Sequence, residues 1–372
     1  MSRIRRWTSA GAVTAAGLAT AAVAMAQPAS AGNLYQEQLD RYRVATGALG
    51  GMVVVRHGGK VAGLGSGNVE KGTDTRFRVG SQTKMLTAAL VLQLADEGKV
   101  GLDDPIGRHL PGVVKGKGLD PNAITVRQLL QHRSGIKDNL GFVNGDYLQT
   151  AQLLLNPWWQ IVPPTRQQMV NEGTKYGKQA EPGARGVYSN TGYTVLGMLV
   201  EKLTGTDLTT AMKTRIIDRV GMPSTFYPRP GQKQMPEPFA RGYLSLKGAA
   251  FADVTNFEPA VWGAAAGLVS TGRDMTKFVN ALASGQVVSP KRLAEMRRTS
   301  PVINGVGDYG LGLKAFPTAC GTAWGHTGSV AGYSTYTLGK GSRSISIGIN
   351  NTPVISDPND AAQRMIDQAL CG

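Results

Sequence analysis

The sequence predicts an α/β (α+β) fold: one antiparallel sheet flanked by helices, with a mainly helical lobe beside it. Three observations carry this. Strand-like runs stand at both ends of the chain, Met52-Val53-Val54-Val55 and Val61 to Leu64 early, and four more from Tyr309 onward. A helical stretch from about Gln82 to Glu97 is apolar nearly all round, so it belongs in the centre of the molecule rather than on its surface. Between about 101 and 265, prolines such as Pro105, Pro111, Pro121, Pro157, Pro163, Pro164 and Pro182 cut the chain into short helices and loops.

Taken in order, Arg3, Arg5 and Arg6 precede an apolar Ala/Gly-rich stretch, Ala10 to Ala26, and Ala29-Ser30-Ala31 offers a small-residue cleavage site. The expectation is a secretory signal over residues 1–31, with twin-arginine export as one possible route, and a secreted protein. No later apolar run approaches the ~20 residues of a spanning helix. Residues 32–372 then form the domain, with a sheet lobe at about 34–100 and 270–372 and a helical lobe at about 101–269. The formal charge is +15, and the three arginines of the first 31 residues leave +12 when they go. Solubility explains that charge, as does attraction to anionic wall polymers. The basic residues are scattered, with no aromatic-interleaved basic motif, which argues against nucleic acid as a partner. No coiled-coil pattern points to assembly, so a monomer is expected.

Tyr35, Leu39 and Tyr42 share one face of a first helix that Gly47 can end. Gly58-Gly59 makes a tight hairpin turn between the first two strands. Later strands are expected at Tyr309 to Lys314, Ala323 to His326, Tyr333 to Leu338 and Ser344 to Ile349, with Lys340-Gly341 turning between the last two. Asp357 should cap a final helix, with Pro358 at its first position and a buried stripe of Ala362, Met365, Ile366, Ala369 and Leu370. Cys320 and Cys371 are the two cysteines, and in an oxidising compartment such a pair usually bonds. Closing that loop of about 50 residues is worth roughly 4 kcal/mol in the chain-entropy account.

Three short motifs carry chemistry: Ser81-Gln82-Thr83-Lys84, Tyr188-Ser189-Asn190 and His326-Thr327-Gly328. Ser81 sits where a strand-like run gives way through Gly80 to the buried helix, and positions 81 and 84 share a helical face one turn apart. Burial disfavours the charged form of Lys84 and lowers its pKa, as a general base requires. Ser134-Gly135-Ile136-Lys137 has the same spacing, but nothing in its loop-like surroundings holds the lysine over the hydroxyl. Tyr188 can pass a proton if a nearby cation lowers its pKa, and Asn190 can donate to and accept from a substrate amide at once. Both residues also fit an ordinary helix entry capped by Asn190 or Thr191. His326-Thr327-Gly328 opens a Gly/Ser-rich passage, Ser329 included, beside an edge strand where a ligand backbone can approach. Alone it is a plain turn. Together the motifs supply a nucleophile, two proton carriers and an amide-orienting group for serine acyl transfer. The four histidines lack metal-ligand spacing and no phosphate loop is present, so no metal and no cofactor are expected. His132 reads as structural, closing a helix.

These motifs resemble those of the penicillin-recognising serine hydrolases: low-molecular-weight DD-peptidases, class C β-lactamases and related esterases and D-aminopeptidases. Arg76 to Ser81, Leu92 to Lys99, His132 to Gly135, Tyr309 to Leu313 and Gly325 to Gly328 look most like the secreted D-alanyl-D-alanine carboxypeptidase/transpeptidase type of Streptomyces. The resemblance implies a β-lactamase/transpeptidase-like fold and a disulfide between Cys320 and Cys371. It implies acyl transfer through Ser81, with Lys84 and Tyr188 managing protons and the backbone N–H groups of Ser81 and Ser329 forming an oxyanion hole. Asn190, Trp262, Lys314, His326, Thr327, Gly328 and Ser329 would bind substrate, Trp262 as an aromatic wall or else as a core residue. Peptidoglycan stem peptides or other small acyl substrates would be the partners, and β-lactams the acylating ligands. A class C-like β-lactamase, an esterase, a D-aminopeptidase or a non-catalytic penicillin- or wall-binding protein are the alternatives. Two departures stand out: Lys314 replaces an arginine expected to hold a carboxylate, and Ser329 replaces a threonine.

Overall fold

The computed structural model describes residues 28–69, 73–140, 156–246, 250–303, 307–351 and 359–372. The first helix, α1 (Pro28–Ala45), turns Tyr35, Leu39 and Tyr42 inward and gives way at Gly47, whose φ is 64°. The hairpin β1 (Gly50–His57) and β2 (Lys60–Gly67) follows, with Gly58-Gly59 in its turn. A short strand, β3 (Arg76–Arg78), leads through a single 3₁₀ turn (Gly80–Gln82) into α2 (Thr83–Asp96). Twelve of the fourteen residues of α2 are buried, as its all-round apolar sequence requires.

The middle of the chain supplies short helices, among them Val126–Leu130 and Arg166–Thr174, and one long one, α3 (Asn190–Thr204). It also holds short strands: β4 (Gly186–Val187), β5 (Tyr243–Leu246), β6 (Ala250–Asp253) and β7 (Val269–Thr271). Then α4 (Gly272–Ala283) returns the chain to the sheet. The remaining strands are β8 (Ser300–Ile303), β9 (Gly307–Tyr309), β10 (Lys314–Thr318), β11 (Gly321–Val330), β12 (Tyr333–Lys340) and β13 (Arg343–Ile349), before α5 (Asp360–Cys371).

Among the described residues nine strands make one sheet, ordered β2-β1-β13-β12-β11-β10-β9-β8-β4, antiparallel except where β4 joins β8. Side-chain alternation along the strands gives the sheet two apolar faces. Val53, Ile345 and Ile347 meet α1 and α5 on one face, and Met52, Val54 and Tyr333 face Phe77 and Trp262 on the other. The largest apolar cluster surrounds α2, between the sheet and the helical lobe. Among the described residues no helix is long and apolar enough to cross a membrane.

Three expectations need correction. Tyr309 to Lys314 is not one strand: Gly312 takes a φ of 76° and the Leu311 N–H turns to the Met296 carbonyl at 3.1 Å, so β9 and β10 meet only at Tyr309 and Lys314. The strand placed at Ala323 to His326 extends through Val330, so the third motif lies inside β11 rather than beside it. Asn359 caps α5, its side chain accepting from the Ala362 N–H at 3.0 Å, whereas Asp357 and Pro358 lie outside the described residues. The buried stripe of α5 is as expected, with Ala369 only partly covered. Most of residues 1–31, read as a signal, also lies outside the described residues.

Candidate active site

The turn that carries Ser81 is held in place before any chemistry is considered. Val79 donates its N–H to Leu268 at 3.1 Å, the Thr83 hydroxyl bonds the Gly80 carbonyl at 2.7 Å, and Gln82 reaches Thr335 of β12 at 2.7 Å. Gly80 has a φ of 57°, a left-handed conformation that glycine adopts without strain. It also faces β11: a Cβ there would lie 2.7 Å from the Ser329 nitrogen, and one on Gly328 would lie 1.9 Å from the Val79 carbonyl. Two glycines therefore let the nucleophile turn and β11 touch backbone to backbone, with Ser329 beside Ser81.

Lys84 is wholly buried, more completely than its sequence neighbours alone require. Its Nζ lies 3.0 Å from Ser81 Oγ, 2.7 Å from Asn190 Oδ1 and 2.9 Å from the Ala265 carbonyl. Thr87, one turn on, bonds the carbonyl of the preceding residue, Ala264, at 2.8 Å and so ties that segment to α2. Burial drives the Lys84 pKa well below its ordinary 10.5, opposed by the charge of Asp138.

Tyr188 stands on the other side of Ser81 and hydrogen-bonds its side chain, while Lys84 Nζ sits 4.7 Å from the phenol ring centroid. The lowering by a nearby cation that proton transfer could use is not seen: burial pushes the Tyr188 phenol well above 10, and the Ser81 hydrogen bond only partly offsets this. The phenol is therefore a proton holder at neutral pH, not a phenolate. Neither Asn190 nor Thr191 caps α3: Ser189 does, accepting from the Gly192 N–H at 3.2 Å, which leaves the Asn190 side chain for Lys84.

The third motif enters on β11. His326 is buried, and Thr327 and Ser329 are half-buried on alternate positions, the same face of the strand. This strand is interior in the sheet order, yet its ladder with β10 stops at Gly325, so, among the described residues, 326–330 pair only with β12. That half of β11 is an edge opening beside Ser81. Lys314 starts β10 opposite Gly325, is nearly buried, and its charge acts on His326. Trp262 is 2 % exposed and packs on Phe257 with ring centroids 5.7 Å apart, so its side chain is core rather than an open wall.

Several neighbours of the site carry no spacing signal. His132, expected to close a helix, does follow Val126–Leu130, with a φ of 58°. Its ring then lies against Tyr188 with centroids 4.0 Å apart and meets Tyr309 edge-on at 4.5 Å, and its Nδ1 accepts from the Ser189 N–H at 3.1 Å. Burial, then the charge of Lys84, holds His132 well below the usual 6.5. Tyr309 reaches His326 Nε2 at 2.9 Å, while His326 Nδ1 faces the Thr327 carbonyl and so carries the ring proton. Burial and the Lys84 charge keep His326 neutral as well. Asp138, one residue past the second Ser-x-x-Lys, is fully buried and accepts from the Asn190 N–H at 2.8 Å. That second motif itself comes apart: Lys137 lies over the Tyr176 ring at 4.2 Å, and Ser134 accepts from the Ile136 N–H. Among the described residues no cluster of His, Cys, Asp and Glu could hold a metal ion.

At the far end of β10 and β11, Cys320 and Cys371 form a disulfide that ties α5 to this hairpin.

The family described as Beta-lactamase matches residues 32–369. Penicillin-binding protein 4 of Amycolatopsis lactamdurans is 30% identical over 195 residues, which cover 50% of this chain and 47% of that protein. The chain thus spans about half the length of that relative. A solved D-stereospecific amidohydrolase from Streptomyces sp. superimposes with a TM-score of 0.81 at 33% identity, over 91% of this chain and 98% of that one. A D-amino acid amidase from Ochrobactrum anthropi SV3, complexed with L-phenylalanine amide, gives a TM-score of 0.77 at 28% identity, over 91% and 97%. The fold is that of the β-lactamase and penicillin-binding proteins.

Proposed function

The chain belongs to the Beta-lactamase family of serine hydrolases, and from that premise we propose that it cleaves bonds whose acyl side is a D-amino acid residue, through an acyl-Ser81 intermediate. One observation carries the chemistry. Asn190 Oδ1 and the Ala265 carbonyl can only accept hydrogen bonds, so they occupy two N–H groups of Lys84. A neutral amine has only two, and its lone pair is left facing Ser81 Oγ at 3.0 Å. Lys84 therefore takes the Ser81 proton as Oγ attacks the carbonyl carbon. Tyr188, protonated and bonded to Ser81, gives its proton to the leaving amine and recovers one through Lys84. The N–H groups of Ser81 and Ser329 would receive the oxyanion; a donor of this kind is commonly worth about 3 kcal/mol. Water then attacks the acyl carbon, and the same groups return the protons.

For the substrate, the first reading is a D-alanyl-D-alanine carboxypeptidase/transpeptidase that β-lactams acylate. Its support is Lys314, a nearly buried residue whose charge acts on His326 and would draw a terminal carboxylate toward that end of β11. The second reading, a D-amino acid amidase, is favoured by the near end-to-end match to amidohydrolases of that type. Export through residues 1–31 belongs to the first reading, since stem peptides lie outside the membrane.

The test is substrate profiling of the purified chain with a D-Ala-D-Ala peptide, D- and L-phenylalanine amides, a chromogenic cephalosporin and a short ester. The expected result is turnover of the D-configured substrates at least about 100-fold faster than the L-amide, slow cephalosporin turnover, and loss of all activity in Ser81→Ala. Equal rates for D- and L-amides, or cephalosporin hydrolysis as the fastest reaction, would overturn the assignment. Lys314→Ala should lower kcat/KM for the carboxylate-bearing peptide by about tenfold or more while sparing the ester. An equal loss for both removes the first reading and leaves the second.

A further inference from the structure

We propose that Asp138 is a positioning residue for acyl transfer: its buried carboxylate holds the Asn190 amide with the oxygen turned to Lys84, and so keeps the Lys84 lone pair aimed at Ser81. The inference deepens the acyl-Ser81 reading and rests on it.

An asparagine side chain has two nearly isosteric orientations that exchange its donor and acceptor ends. Lys84 is served only by the oxygen end, at 2.7 Å. Something must therefore hold the NH₂ end elsewhere. Asp138 stands on the other side: Oδ1 accepts the Asn190 backbone N–H at 2.8 Å, and the carboxylate lies near enough to the Asn190 side-chain amide to attract its NH₂ end, with Oδ2 making no other bond among the described residues. Burial raises the Asp138 pKa above its ordinary 3.8, opposed by Asn190 and by the charge of Lys84; in its ionised form the carboxylate can only accept, so the amide cannot flip without setting oxygen against oxygen. The segment carrying Asp138 is itself fastened to the start of α3. The Thr191 hydroxyl bonds the Lys137 carbonyl at 2.7 Å and Asn139 Oδ1 at 3.3 Å, and the Ser189 hydroxyl reaches the Lys137 carbonyl at 3.4 Å. Asp138 is fully buried, so no route to solvent competes for its oxygens.

The same carboxylate sets the charge balance of the site. Facing Lys84 are Ser81 from its own turn, Tyr188 and Tyr193 with ring centroids at 4.7 and 5.4 Å, Asn190, and the Ala265 carbonyl. His132 and His326 feel its charge as well, and Lys314 acts on His326 from β10. Burial keeps both tyrosines protonated and both histidines neutral. Among the described residues that leaves Asp138 as the carboxylate acting on Lys84. It opposes the burial that lowers the Lys84 pKa. Without its negative charge, Lys84 should lose its proton at lower pH.

The test is the acylation rate of Ser81 by p-nitrophenyl acetate, read as the nitrophenolate burst between pH 5 and 9. This probe contains no D-amino acid, so its outcome is independent of the substrate assignment above. Asp138→Asn keeps the size, loses the charge and offers an NH₂ group that permits the flipped amide. It should slow acylation about tenfold or more at the pH plateau, from misplacement alone. Its acid limb should also move about half a pH unit or more to lower pH. In an Asn190→Ala background the same substitution should cost little further rate, because the group it acts through is gone. An unmoved limb, or an equal rate loss in both backgrounds, overturns the proposal. If circular dichroism shows that D138N does not fold, Asp138→Ser, which retains an acceptor for the Asn190 N–H without the charge, takes its place with the same expected limb shift and the same double-mutant criterion.

Discussion

Taking a lysine, two histidines and an aspartate wholly out of water is costly unless each finds partners or gives up its charge. Both solutions are used here. Lys84 has three oxygen partners and a lowered pKa, and Asp138 Oδ1 accepts the Asn190 N–H. His132 and His326 stay neutral because burial disfavours their charged form, and Lys84 when protonated at low pH disfavours it further. The sign of the resulting pH dependence follows. Both folded pKa values lie well below the unfolded value near 6.5, so below that pH the unfolded chain binds protons that the folded one refuses. Stability should rise with pH up to about 6.5 and be lost as pH falls below it, by up to about 1.4 kcal/mol per pH unit for each histidine. Lys84 has the same sign and extends the rise toward its unfolded pKa near 10.5. Urea midpoints of the wild type and His132→Asn at pH 7.5 and 5 check this. The variant should show the smaller acid loss, and equal losses would mean that His132 is not held neutral.

At the scale of elements, the site depends on two backbones in contact, the nucleophile turn and the open half of β11. A strand and a turn bearing side chains do not come so close, and Gly80 and Gly328 are where this chain omits them. Gly328→Ala must push β11 away from Val79 or displace Thr335, whose hydroxyl lies 2.5 Å from the new Cβ and bonds the Val79 carbonyl at 3.0 Å. The expected cost is about 1–3 kcal/mol of stability. The shift also takes the Ser329 N–H from its place beside Ser81, so acylation should fall at least about 100-fold. Thermal melts and burst kinetics on one preparation test both effects. A variant that acylates normally would show that the proposed oxyanion site does not depend on this approach. The glycines were visible in the sequence, but their reason was not: Gly80 read as a link from strand to helix and Gly328 as part of a turn. What each touches lies about 250 residues away along the chain.

For the whole molecule, strands from both ends of the chain complete one sheet, and the last helix packs on the first. The Cys320–Cys371 disulfide closes a 51-residue separation between the β10–β11 hairpin and α5, at the opposite end of β11 from the cleft. Its removal should cost about 4 kcal/mol through the unfolded state while leaving the rate of Ser81 acylation unchanged below the melting transition. Melting with and without reductant, paired with the burst assay, reads the two separately. A loss of acylation in the folded, reduced protein would show that the closure reaches the site.

The sequence alone determined whatever depends on neighbours in the chain: the buried helix α2 from its apolar composition, the β1–β2 hairpin from Gly58-Gly59, the stripe of α5 from its period. It also determined the three motifs, since residues three or two apart on one element keep a fixed relation wherever that element goes. Tertiary structure decided which of two Ser-x-x-Lys motifs had an acceptor on its lysine, for Asn190 lies 106 residues beyond Lys84 and Ala265 lies 181 beyond it. It decided that Tyr188 stays protonated, that Trp262 is core, and that His132 and Asp138 stand against the site. Burial and electrostatic environment are set by what packs around a group, and no local pattern encodes that.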